Sequence, residues 1–260
     1  MSGPLEGQVA LVTGSTRGLG RELAAVLAEA GCDIVVVGRE AETGEITAEL
    51  VRAAGRRALV APGDVTDEAA MDAVAAQALE VFGRIDILVC TAGVGGPRRP
   101  VWESRAADLH ACFDVNVLGT MLAMRAVLPG MIERRHGRVI VIGGTYGHKG
   151  VANSAIYAAS KWALRGLVKS AALEAAPFGV TCNVIAPGGV EGERLRRTFQ
   201  QSADARGEPV EAVIGRFTAG TALGRLVTGD DIAAAILHLA GEGGRMITGQ
   251  DIIIDAGTIV

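Results

Sequence analysis

The chain has 260 residues, of which 49% are hydrophobic and 3% aromatic, with Lys+Arg 25 against Asp+Glu 29 and a formal net charge of −4. Such a length holds one large α/β domain or two small ones, and the acidic balance, without a long basic run, argues against a nucleic-acid partner. No apolar run near 18 residues is free of charge, so no membrane span is expected.

Strand-length apolar runs, rich in Val and Ile, recur along the chain at Gln8–Thr13, Asp33–Val37, Arg57–Ala61, Ile85–Thr91, Arg138–Ile142, Thr181–Ala186 and Asp251–Asp255. Between them apolar residues repeat at helical spacing, as in Leu19, Leu23, Val26, Leu27 and Ala30, or Met71, Val74, Ala78 and Val81. Strands alternating with helices predict a parallel sheet covered on both faces. No Pro/Ser/Gly-rich linker divides the chain. The expected fold is therefore α/β, a single doubly wound Rossmann domain over residues 1–260 with about seven strands.

One stretch breaks the rhythm. Residues 191–227 are polar and arginine-rich, with a helical pattern around Arg194, Leu195, Arg196, Arg197 and Phe199. They precede a helix that Thr228 should cap, with Asp230 and Asp231 in its first turn. A long insertion at the C-terminal edge of a sheet is where a substrate lid would sit; the plain alternative is a surface excursion.

The four cysteines, Cys32, Cys90, Cys112 and Cys182, are far apart and form no CxxC pair, and the four histidines do not cluster. They read as buried thiols in a reducing cytoplasm, with no metal site. Met1-Ser2-Gly3-Pro4-Leu5-Glu6 lacks the basic start and apolar stretch of a signal peptide.

After the first strand comes Thr13-Gly14-Ser15-Thr16-Arg17-Gly18-Leu19-Gly20, opening the first long helix. Glycines there let a pyrophosphate approach the backbone amides at a positive helix N-terminus. In NAD binders an acid at the end of the second strand bonds the ribose 2′-hydroxyl. Here that position reads Gly38 followed by Arg39, and Arg17 adds a second cation from the glycine turn. Two guanidiniums favour a 2′-phosphate, so NADP(H) is expected over NAD(H). Farther along, Tyr157 and Lys161 lie at i and i+4 and share one face of a helix, so the ammonium can sit beside the phenol. A nearby cation favours the phenolate and makes tyrosine usable as an acid/base.

The glycine turn, the Tyr-x-x-x-Lys and the chain length together resemble the short-chain dehydrogenase/reductase family, from about Gly7 to Gly257. Asp64-Val65 is similar to the family's adenine-holding pair, and Ala92-Gly93 to the end of its Asn-Asn-Ala-Gly motif. Asn116 matches the catalytic helix asparagine, Pro187-Gly188 the segment against the nicotinamide, and Thr248-Gly249-Gln250 with Asp255-Ala256-Gly257 the C-terminal strand. The resemblance implies a cofactor site built from Gly14, Ser15, Thr16, Arg17, Gly18, Leu19, Gly20, Arg39, Asp64, Val65, Ala92, Gly93, Tyr157, Lys161, Pro187, Gly188 and Val190. It implies that Tyr157 passes the proton, that Lys161 lowers its pKa and binds the nicotinamide ribose, and that Asn116 holds a water linking the lysine to solvent. Its further implications are a small carbonyl or alcohol substrate and a homo-oligomer, tetramer or dimer.

Three positions depart from the family pattern. Gly144, thirteen residues before Tyr157, stands where the family has its catalytic serine. Thr145 is the nearest replacement for that oxyanion donor, with Ser154 and Tyr146 behind it, and a missing donor is the alternative. Cys90-Thr91 replaces paired asparagines, and Gly192 replaces a threonine that would bond the carboxamide. The expected function is an NADP-dependent secondary-alcohol/ketone oxidoreductase. Two other readings stay open: a non-catalytic dinucleotide-binding protein, and an acyl-carrier-protein ketoreductase.

Overall fold

The computed structural model describes residues 3–260; Met1 and Ser2, the first two positions of the segment tested for a signal peptide, lie outside the described residues. Seven strands form one parallel sheet: β1 (Val9–Thr13), β2 (Asp33–Gly38), β3 (Ala58–Pro62), β4 (Ile87–Cys90), β5 (Gly137–Ile142), β6 (Val180–Pro187) and β7 (Asp251–Ile254). Their spatial order is β3-β2-β1-β4-β5-β6-β7. Every pairing is parallel, with Leu11 opposite both Val35 and Leu88, and Val139 opposite Cys182. The order reverses between β1 and β4, the crevice where such sheets take their ligands. All seven expected strands are present, displaced at their ends by one or two residues.

Strand alternation divides the core in two. Odd-numbered β1–β2 residues (Leu11, Val35, Val37) pack with Leu88 and Val139 under α3 (Glu68–Phe82), α5 (Gly119–Glu133) and α6 (Ala155–Ala175). The intervening residues (Ala10, Val12, Ile34, Val36, Ile87) pack on the other face under α1 (Gly18–Glu29), α2 (Ala41–Ala53) and α9 (Gly229–Ala240). Burial on both faces is why these strands read as unbroken apolar runs.

The helix α4 (Ala106–Phe113) runs into α5 through a single π turn, Asp114–Leu118, that contains Asn116. Together, residues Ala106–Glu133 form a stretch that by length and composition alone could cross a membrane, although Arg125 interrupts it. The cause is core duty: Leu122, Ala123, Met124, Val127 and Met131 are buried on the sheet.

The polar stretch after β6 folds as α7 (Glu193–Arg206) and α8 (Val210–Ala219) around a small core of Phe199, Ala203, Val210 and Val213. It leaves and rejoins the domain at one point, where Val190 pairs with Val227. Thr228 then caps α9, its hydroxyl accepting the Asp231 amide at 3.2 Å while the Asp231 carboxylate accepts the Thr228 amide at 2.9 Å.

Candidate active site

The glycine turn sits at the C-terminal end of β1. Gly14 has φ +70, and a Cβ placed on it would lie 2.8 Å from Ala92 Cα. A Cβ on Gly20 would lie 2.3 Å from the Gly14 carbonyl oxygen, whereas nothing approaches within 4 Å of one on Gly18. The turn is thus folded tightly on its inner side and open beside the start of α1, which fits a pyrophosphate against helix amides. Leu19 packs into the core below.

Ser15 is fully buried and turned inward. Its hydroxyl donates to the Val12 carbonyl at 2.7 Å and accepts the Val37 amide at 3.0 Å, and its own amide donates to the Val37 carbonyl at 3.1 Å. These polar groups tie β1 to β2. Thr47 and Arg21, which the motifs did not point to, complete the support. Thr47 donates to the Ser15 carbonyl at 2.8 Å, and Arg21 bonds the Thr47 hydroxyl and the Thr16 carbonyl.

At the end of β2, Gly38 faces Thr16: a Cβ on the glycine would lie 2.4 Å from Thr16 Cγ2. Arg39 follows, close enough to Asp64 that its charge helps hold that carboxyl below the usual range, behind hydrogen bonds from Thr66. Asp64 therefore stands at the strand end beside Arg39, and Val65 packs over Gly119.

Across β4 and β5 the second half of the site assembles. The Asn116 side chain is buried and ties three segments together. Its Oδ1 accepts the Val94 amide at 2.8 Å, and its Nδ2 donates to the Val94 carbonyl and the Ser160 hydroxyl, both at 3.0 Å. Ser160 in turn donates to the Tyr157 carbonyl at 2.8 Å. The π turn supplies the extra residue that swings Asn116 out of the helical ladder, a feature common at functional sites. Ser160 was not singled out from sequence; its place between Tyr157 and Lys161 in the string was the available signal.

Lys161 is 6% exposed and donates to the Ile142 carbonyl at 3.0 Å. Its Nζ lies 5.6 Å from the Tyr157 ring centroid, so the two do share a helix face. Burial, and secondly the Arg194 charge, pull its pKa to about 8. Burial pushes Tyr157 above its ordinary value, and the cation opposing that push is Arg194 of α7. The Arg194 guanidinium is 6.0 Å from the ring centroid and acts first through charge. The only other tyrosine in the sequence, Tyr146, meets Tyr157 edge-on at 5.6 Å.

The segment Ile142-Gly143-Gly144-Thr145 ends β5. Gly144 has φ +154, a conformation that L side chains avoid, and Thr145, 5% exposed, begins a short 3-10 turn behind it. Ser154 is buried at the start of α6.

A sequence model of the family described as short chain dehydrogenase matches residues 8–203. The chain belongs to the short-chain dehydrogenase family. It is 32% identical over 252 residues to the 3-oxoacyl-acyl-carrier-protein reductase of Escherichia coli (strain K12), covering 97% of each chain. Among solved structures, NAD+-bound xylitol dehydrogenase matches with a TM-score of 0.93 at 29% identity over 97% of this chain and 99% of that one. A single-substitution variant of actinorhodin polyketide ketoreductase with NADPH matches with a TM-score of 0.92 at 32% identity, covering 99% of each. The fold is that of dehydrogenases and reductases acting on alcohols and ketones, and both nicotinamide cofactors occur among these neighbours.

Within this family frame the other departures have visible consequences. The Thr91 hydroxyl donates to the Thr13 carbonyl at 2.5 Å, so Cys90-Thr91 stitches β4 to β1. Ala92 and Gly93 follow, and a Cβ on Gly93 would lie 3.3 Å from Asn116 Oδ1. Pro187 ends β6, and the Gly188 amide donates to the Ile254 carbonyl at 2.8 Å. The Val190–Val227 bridge uses the Gly189 carbonyl and the Glu191 amide and leaves the Val190 amide outside the pairing.

Proposed function

We propose that this short-chain dehydrogenase is an NADP(H)-dependent oxidoreductase interconverting a secondary alcohol and a ketone, with Tyr157 as general acid/base. The observation that carries the reading is the half-buried Tyr157 with Lys161 one turn on, whose Nζ lies 3.9 Å from where a Cβ on Gly93 would sit, next to the Ala92 that the glycine turn touches. A bound nicotinamide dinucleotide supplies or accepts the hydride.

Gly14 to Gly20, with Arg17, Arg39, Asp64, Val65, Ala92 and Gly93, would hold the adenosine and pyrophosphate half of the cofactor. Lys161, Pro187, Gly188 and Val190 would hold its nicotinamide half. Arg17 and Arg39 favour a 2′-phosphate, and the Thr16 side chain against Gly38 opposes the acid that reads a 2′-hydroxyl. Burial keeps the Tyr157 phenol protonated near neutral pH, which suits donation to a ketone oxygen. Thr145 is the donor that would stand in for the family serine. It follows Gly144 directly and is the nearest hydroxyl in sequence to the missing serine's position. Residues 191–227 act as the substrate lid, hinged at the Val190–Val227 pair. Exposed Leu173 and Ile253 on α6 and β7 support a homo-oligomer, and four free buried cysteines suit a reducing cytoplasm.

The test is a screen of ketones and alcohols followed by nicotinamide absorbance with each cofactor, repeated with Tyr157→Phe. Turnover that needs Tyr157 and prefers NADPH supports the reading. Turnover that survives the loss of the hydroxyl removes Tyr157 from it.

A further inference from the structure

The helix α7 carries four arginines, and three are paired with carboxylates: Arg196 with Glu211 at 3.9 Å, Arg197 with Glu193 at 3.3 Å, and Arg206 with Glu208 at 3.9 Å. Arg194 has no such partner among the described residues. It extends instead over the Tyr157 ring, with Nη2 3.6 Å from where a Cβ on Gly95 would sit. The loop after β4 repeats the contrast. Arg99 pairs with Asp108 at 3.7 Å, whereas Arg98 has no carboxylate among the described residues and donates to the Tyr146 hydroxyl at 3.5 Å. Since Tyr146 and Tyr157 meet edge-on, the two unpaired guanidiniums approach one tyrosine pair from two different segments. Lys161 adds a third cation below.

Cations gathered without an acid repel one another, and Arg194 indeed pushes Lys161 toward its neutral form. The other arginines of α7, and Arg99 beside Arg98, each meet an acid. Glu193, the acid next to Arg194 in the chain, is already engaged by Arg197. What the Arg194 and Arg98 guanidiniums lack is an acid partner, and planar guanidiniums are matched to a carboxylate.

We propose that Arg194, assisted by Arg98, recognises a carboxylate on the substrate, so that the reacting compound is a short oxo or hydroxy acid. The inference rests on the oxidoreductase reading above. Because Arg194 lies beside the phenol that addresses the reacting oxygen, the carboxylate belongs near the reacting carbon and not at the end of a long chain.

The experiment compares 2-oxobutanoate, 3-oxobutanoate and 4-oxopentanoate with their methyl esters. The proteins are the wild type, Arg194→Gln, Arg98→Gln and, as a control on the same helix, Arg196→Gln. A charge-assisted contact predicts that the wild type prefers at least one acid over its ester by about 10- to 100-fold in kcat/KM. Arg194→Gln should abolish that preference by raising KM for the acid alone, Arg98→Gln should reduce it, and Arg196→Gln should keep it. In parallel, calorimetry measures binding of the same acids to protein saturated with NADP+, a complex without a hydride to transfer, and binding of NADP+ alone.

Equal turnover of acid and ester by the wild type overturns the proposal. So does an Arg194→Gln variant that loses NADP+ affinity while keeping its acid preference, since the anion would then be the cofactor's own phosphate. Absence of any Arg194-dependent acid binding or turnover likewise overturns it. Arg194-dependent acid binding with no carbonyl turnover by the wild type upholds the anion site and overturns the oxidoreductase reading instead.

Discussion

Thr16 fills the space that a side chain at position 38 would need. A Cβ on Gly38 would lie 2.4 Å from Thr16 Cγ2, so the glycine turn and the end of β2 are fitted to each other. An acid cannot stand at 38 without displacing the Thr16 side chain, while Arg39, one residue on, lies near Asp64.

Arg39→Ala should therefore weaken NADPH by about 1.5–3 kcal/mol, the worth of a hydrogen bond to a charged group, and leave NADH nearly unchanged. Gly38→Asp alone should weaken both cofactors through its clash with Thr16, and adding Thr16→Ala should restore NADH. Fluorescence titration with both reduced cofactors checks this. An equal loss of NADPH and NADH in Arg39→Ala would place the reading of the 2′ group elsewhere.

Tyr157→Phe should reduce kcat by about 10²–10⁴-fold, the usual contribution of a positioned acid/base, with cofactor affinity intact. The edge-on packing with Tyr146 survives the substitution because only the hydroxyl is lost. Single-turnover kinetics alongside a cofactor titration separate the two effects.

Restoring the family serine should not restore a better enzyme. With φ +154 at position 144, Gly144→Ser and Gly144→Ala should each lose about 1–3 kcal/mol of stability to backbone strain, read by urea denaturation. Pro187 O, at 3.8 Å from the added Cβ, is no obstacle, so a loss shared by both variants isolates the backbone. Thr145→Val, by contrast, should leave stability nearly unchanged and reduce kcat by about 10²–10³-fold if its hydroxyl is the oxyanion donor. A silent variant would end that role.

The pH profile has a definite sign. Burial pulls Lys161 to about 8 and pushes Tyr157 up. Ketone reduction should thus be level below pH 8 and fall above it as the lysine loses its proton while the phenol keeps its own. Arg194 lowers both groups, so Arg194→Gln should move the falling limb to higher pH when measured with a neutral ketone. A limb that stays in place would show that Arg194 is not electrostatically coupled to the site.

The sheet and its crevice were legible in the amino-acid sequence, and so were the candidate site residues. Strand runs buried on both faces carry a local apolar signature, and the glycine turn, Gly38-Arg39 and Tyr157/Lys161 each declare themselves within a few residues. The sequence also marked residues 191–227 as an excursion, because their polarity breaks the pattern. Only the tertiary structure decided which cation meets the phenol. Lys161 is one turn away in sequence but bonds the Ile142 carbonyl, whereas Arg194, 37 positions on from Tyr157, is brought over the ring by α7. It also turned Ser15 inward to join β1 to β2 and gave Gly144 a backbone that disfavours a side chain there. These outcomes depend on burial, on contacts between segments distant in the chain, and on φ values that neighbours impose, none of which is encoded in the spacing of residues along a motif.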